Sequence, residues 1–189
     1  MSSRTVSRFV IAFVLTLAMA APPRMLIAAD AALGPIAMAV PEGFVAAPMQ
    51  RQPNFSIWAW TKSAPGGKVK ALLEVTVYDY GPKLARASAE EIASGTEQYL
   101  RQFLGGIERR RTNYALSPIS QAQLAGGPAS VATWTGRAGP VDLVGVMYCT
   151  IVKNRYVVSF HTQDLGGKPT PAMHEAISAI EAVRLAGAP

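Results

Sequence analysis

From residue 71 to residue 80 apolar and polar side chains alternate. Leu73, Val75 and Val77 fall on one face and Glu74, Thr76 and Tyr78 on the other, which is the two-residue period of a strand. Just upstream, residues 55–61 read Phe-Ser-Ile-Trp-Ala-Trp-Thr, an aromatic and apolar run with strand character. The turn Pro65-Gly66-Gly67-Lys68 lies between the two and predicts a hairpin. A shorter apolar stretch over 36–40, closed by Pro41-Glu42-Gly43-Phe44, predicts one strand before it.

The period changes after Ser88. Ile92, Thr96, Tyr99 and Phe103 recur at helical spacing, with Glu90, Glu91, Glu97, Gln98 and Arg101 on the other side. Ser88 and Glu91 have the spacing of a capping box. Gly105-Gly106 predicts the end of this helix, expected over 89–104, because glycine takes the left-handed cap conformation freely. Four strands are expected next, over 119–124, 129–136, 142–153 and 155–163, separated by Gly126-Gly127-Pro128, Gly139-Pro140 and Asn154. In the third, Leu143, Met147, Cys149 and Ile151 share a face; in the fourth, Tyr156, Val158 and Phe160 do. Thr170-Pro171 then opens a closing helix, threonine as cap and proline at the first position, with Met173, Ile177, Ile180 and Val183 as its buried stripe. The order β-β-β-α-β-β-β-β-α predicts an α+β fold: an antiparallel sheet of six to seven strands packed with two main helices. Nearly every apolar residue is used by that core, which leaves little for a cofactor cavity.

The N-terminus belongs to a different pattern. Arg4 and Arg8 precede an uncharged apolar run of 13 residues, Phe9 to Ala21, followed by Pro22, Pro23 and Arg24. A basic start, a short apolar stretch and small residues after it match a secretory signal. The run is too short to span hydrocarbon, which takes about 20 residues. Cleavage is expected after Ala20 or after Ala29, which leaves 30–189 as a single domain. No cysteine lies near either cut, so no lipid anchor is expected, and the mature protein should be periplasmic or secreted. The whole chain carries a net charge of +6, but loss of Arg4, Arg8 and Arg24 leaves fifteen basic residues against twelve acidic ones, a net of +3. That modest excess, in an exported chain, does not specify nucleic acid. Half the residues are hydrophobic and 16% are charged, which excludes a disordered tail and a polytopic membrane protein.

Candidate chemistry is sparse. His161 and His174 are the two histidines, and neither stands at a metal-ligand spacing; the two together with Asp79 or Asp164 are the best metal set available. Cys149 is the single cysteine, placed mid-strand on an apolar face, so a packed thiol is expected over a nucleophile, with an intermolecular disulfide as the exported alternative. No Gly-x-Ser-x-Gly elbow occurs. The Gly-Gly-Lys triplets at 66–68 and 166–168 lack phosphate-loop spacing and read as turns. No catalytic, cofactor-binding or metal residue is therefore assigned. Trp58 and Trp60 share a strand face, and Arg109, Arg110 and Arg111 form the densest cationic run. If the tryptophans lie on a helix-free face, these five residues make a partner surface.

Several of these features together resemble the Mog1/PsbP-like fold, which includes DcrB-like bacterial exported proteins. They are Val40-Pro41-Glu42-Gly43-Phe44, the mid-chain helix, the long strands 141–152 and 156–162 with their Ser159-Phe160 pair, and the closing helix. The likeness runs over 35–185. It implies an α/β/α sandwich and a noncatalytic binding, assembly or accessory role, and it names no ligand. The expected function is an exported binding or accessory protein of the bacterial envelope that contacts another envelope protein. A small-ligand or lipid carrier is the alternative, and a metal-dependent hydrolase stands third.

Overall fold

The computed structural model describes residues 30–64 and 69–187. The expected signal segment, 1–29, and the turn Pro65-Gly66-Gly67-Lys68 lie outside them. In chain order the elements are β1 (Asp30–Leu33), β2 (Ile36–Ala39), β3 (Val45–Ala46), β4 (Gln50–Gln52), β5 (Phe55–Ser63) and β6 (Val69–Asp79). After a 3-10 turn at Gly81–Leu84 come α1 (Ala89–Glu108), β7 (Thr112–Leu116), β8 (Ser120–Leu124), β9 (Gly127–Ala138), β10 (Val141–Val152) and β11 (Tyr156–Leu165). The chain closes with α2 (Pro171–Glu181) and β12 (Arg184–Leu185).

The main sheet is antiparallel and nine-stranded, in the order β3-β5-β6-β11-β10-β9-β7, with β4 beside β5 and β8 beside β9. It exceeds the six or seven strands expected because β3, β4 and β7 are short and mostly exposed, without the alternation that marks a half-buried strand. The opening strand β2 joins a second, three-stranded sheet with β1 and β12 instead. α1 covers one face of the main sheet over β9 and β10; α2 packs on the other face, against β11, β6 and β2. The architecture is an α+β sandwich with the sheet in the middle.

β10 shows why both layers are needed. It is buried continuously from Leu143 to Val152, so alternate residues feed two cores. Val144, Val146 and Tyr148 join Leu73, Val75, Phe160, Met173 and Ile180 on the α2 face. Leu143, Met147, Cys149 and Ile151 join Ile92, Leu100, Leu104 and Trp134 on the α1 face. Burying one such large apolar side chain stabilises the fold by about 1.5–3 kcal/mol.

α1 starts as the sequence predicts. The Ser88 hydroxyl accepts the Glu91 N–H (3.2 Å), and the Glu91 carboxylate accepts the Ser88 N–H (2.7 Å). Its buried stripe is Ile92, Thr96, Leu100 and Leu104, and the Thr96 hydroxyl is hydrogen-bonded to Ser130 at 2.7 Å. Gly105-Gly106 does not end it. Both glycines keep helical backbone and the helix runs on to Glu108, its last turn held by Leu104 and Ile107 against the α1-face core. The cap of α2 also departs from expectation: the Thr170 hydroxyl makes no capping bond. Asp164, buried at the end of β11, accepts the Thr170 N–H instead (2.7 Å). Lys62 with Glu175 (2.6 Å), and the Tyr148 hydroxyl donating to Glu181 (2.9 Å), tie α2 down further.

Candidate functional site

The register of the central strands places Trp134, Gly145 and Gln163 in one row across β9, β10 and β11. The next row holds Ala132, Met147, His161 and, on β6, Glu74. All of these face the α1 side. Between Trp134 and Gln163 the strand has no side chain, and the indole occupies the gap. A Cβ at Gly145 would fall inside van der Waals contact with indole Cε2, Nε1 and Cζ2, so glycine is the residue this packing requires.

Three further groups surround the indole. The His161 ring lies 5.7 Å away, centroid to centroid. Tyr114 stacks at 6.2 Å with 26° between the planes. A bulge in β7 between Thr112 and Ala115, with Asn113 in the left-handed region (φ 51°), accompanies Tyr114 at this point. The Arg111 guanidinium sits over the indole, 5.8 Å from the ring centroid, its stem laid along Gly136.

Five polar atoms in this cluster are buried and have no hydrogen-bond partner among the described residues: Arg111 Nε, Tyr114 OH, Trp134 Nε1, His161 Nε2 and Gln163 Oε1. Burial governs their titration. It pushes the His161 imidazole down to about 4, with the Arg111 charge acting in the same direction, so His161 is neutral at physiological pH. Its lateral neighbour Glu74 is only partly buried. Desolvation still pushes that carboxyl up to about 7, against the opposing pull of Arg110. Tyr114 is raised by burial and then by Glu108, and Arg111 is lowered by burial and then by Arg110. Arginine keeps its charge regardless.

The residues singled out from sequence fall in different places. Trp60 is buried at 6% exposure in the α2-face core and Trp58 packs half-buried against the same core. Arg109, Arg110 and Arg111 follow α1, on the opposite face. The five residues therefore do not form one surface, and Trp60 offers none, because the face that carries the tryptophans is the one that α2 covers. Arg109 and Arg110 are exposed, whereas Arg111 folds back half-buried over Trp134. The suggested metal set does not assemble either. His174 is exposed on α2, across the sheet from His161. Asp164 also points to the other face from His161, and Asp79, at the far end of β6, is held by Arg155 through two bonds of 2.8 and 2.7 Å. Among the described residues no group of three or more His, Cys, Asp or Glu side chains is placed to hold a metal ion. Cys149 is fully buried, and burial pushes its thiol up; a disulfide to another chain cannot reach it in the folded protein.

Sequence reading treated His161 and Arg111 separately and assigned Tyr114, Trp134, Gly145 and Gln163 to no site. The available signal was Gly145, a lone glycine inside an apolar strand, which marks a close approach by another group.

No family model and no curated protein matches the chain. A crystal structure of LpqN from Mycobacterium tuberculosis, described as involved in cell envelope biogenesis, is similar in fold. Its TM-score is 0.50 at 16% identity, covering 79% of this chain and 82% of that one. A Pseudomonas aeruginosa protein of unknown function, PA94, aligns over 79% of this chain and 89% of its own at 12% identity, with a TM-score of 0.41. Among the described residues no helix is long and apolar enough to cross a membrane.

Proposed function

We propose that the chain is an exported, noncatalytic binding protein of the bacterial envelope, Mog1/PsbP-like in fold, and that it binds at the cluster around Trp134. One observation carries this reading: five buried polar atoms without a partner among the described residues are gathered on one face, around one indole. Each such atom costs about 1–3 kcal/mol while unpaired. A fold that keeps several of them adjacent gains when a ligand completes their bonds.

The N-terminal pattern of Arg4, Arg8 and the 13-residue apolar run supports export. The description of LpqN supports an envelope setting. The surroundings of His161 favour binding over catalysis. Among the described residues its Nε2 has no hydroxyl or thiol partner, whereas an activated nucleophile needs that hydrogen bond. A second reading, contact with an acidic face of another envelope protein, is favoured by the exposure of Arg109 and Arg110 beside the same cluster.

Native purification of the tagged protein from its host, followed by native mass spectrometry, tests the proposal. The expected result is a mature, exported protein carrying a stoichiometric protein or small-molecule partner. A cytoplasmic protein that emerges with nothing bound contradicts it.

A further inference from the structure

We infer that the Trp134 cluster takes a small oxyanion, a carboxylate or phosphate group, whose oxygens accept hydrogen bonds from Trp134 Nε1–H and Arg111 Nε–H. The inference rests on the binding reading above and adds the chemistry of the ligand. An indole N–H and a guanidinium N–H can donate but never accept. Trp134 Nε1 and Arg111 Nε are both buried here without an acceptor among the described residues. The Tyr114 hydroxyl supplies a third donor, and neutral His161 a fourth when Nε2 carries its proton. Gln163 Oε1 is the one orphan that only accepts, and a half-turn of its amide presents N–H instead.

Charge points the same way as donor count. Arg111 holds a cation over the indole, and Arg110 is near enough to act on both Arg111 and Glu74. Hydrogen bonds from such donors to an anion are roughly twice as strong as neutral ones. A cationic or purely apolar ligand would leave the donors unpaired. Trp134 and His161 are nine-tenths or more buried, whereas Arg111, Tyr114 and Gln163 are partly exposed, so these three mark the side of entry.

The titratable or charged groups facing the site are Glu74 on β6, His161 on β11, Tyr114 on β7, and Glu108, Arg110 and Arg111 at the end of α1. Of those whose titration the structure shifts, Glu74 alone changes charge near neutrality. Once ionised it repels an anion, so binding weakens as pH rises through that range.

The test is a titration of the full chain with acetate, and separately with inorganic phosphate, that follows the Trp134 indole N–H resonance. That resonance is identified by its loss in Trp134→Phe. The expected result is a saturable shift, tighter at about pH 6 than at about pH 8 for acetate, whose own charge is constant there. Arg111→Gln should weaken it by roughly tenfold or more, and Arg51→Gln, on an exposed edge of the other face, should leave it unchanged. A response to free anions assigns a soluble ligand; a response only to phosphatidylglycerol vesicles assigns a lipid headgroup. No response to either overturns the inference. If native purification still returns a bound component in that case, the ligand chemistry is wrong and the binding reading stands.

Discussion

On the α2 face of the sheet, polar groups that enter the core find partners. Thr162 donates to the Leu72 carbonyl and Thr150 to the Pro128 carbonyl, both at 2.9 Å, and Tyr148 donates to Glu181. Three atoms there have no hydrogen-bond partner among the described residues: Asp164 Oδ1 and Thr170 Oγ1, which belong to one contact in which Asp164 already accepts the Thr170 N–H, and Arg137 Nε, which is held 2.9 Å from Asp142 in an ion pair. On the α1 face, the end nearest the start of the helix is finished in the same way, by Thr96 and Ser130. The other end, around Trp134, is not. The difference separates a layer that only holds the fold together from one that also carries an incomplete hydrogen-bond set. Large side chains on the first face should be worth stability; polar side chains at the Trp134 cluster should cost it.

The largest effect is expected from Phe160→Ala on the α2 face. Phe160 is fully buried, and its loss should cost roughly 3–5 kcal/mol in urea unfolding. A loss under about 1 kcal/mol would mean that this face is not the main core.

The next effect concerns pH. His161 ordinarily titrates near 6.5 and is pushed to about 4. Between those values the unfolded chain binds a proton that the folded protein refuses, so stability rises with pH. Glu74 ordinarily titrates near 4.5 and is pushed up to about 7. Between those values the folded protein holds a proton that the unfolded chain has released, so stability falls as pH rises. The two slopes oppose each other where the windows overlap, from 4.5 to 6.5. Glu74→Gln should remove one of them and leave a stability that climbs across this interval, by at most about 1.4 kcal/mol per pH unit. A flat profile in the variant, measured by thermal melts across pH, would show that His161 is not desolvated.

Gly145→Ala should cost about 1–3 kcal/mol and shift the Trp134 emission, because the added methyl drives into a rigid indole. The smallest expected change has the opposite sign. His161→Leu, close in volume, removes a buried orphan and should leave stability unchanged or raise it by up to about 1 kcal/mol. A loss of several kcal/mol would show that Nε2 makes a structural bond.

The fold was largely legible because its signals are local. The alternation of Leu73, Val75 and Val77, the Ser88–Glu91 box and the Pro171 start all act within a few residues, and all reappear in the structure. The helix end was misjudged because packing of Leu104 and Ile107 outweighs the roughly 1 kcal/mol that each glycine costs. The edge strands had no buried face to leave a pattern. The Trp134 cluster was not legible for a different reason. Its members come from β7, β9, β10 and β11, and only strand register brings Trp134 across Gly145 toward Gln163. The tryptophan that mattered was therefore not in the Trp58–Trp60 pair that composition makes conspicuous.

The most direct test places a photoreactive phenylalanine analogue at Tyr114 in one protein and at Trp58 in another, on opposite faces of the sheet, and crosslinks both in cells. The account predicts capture of a stoichiometric envelope component, protein or small molecule, from position 114 and none from position 58. Capture from 58 alone, or from neither, would contradict it.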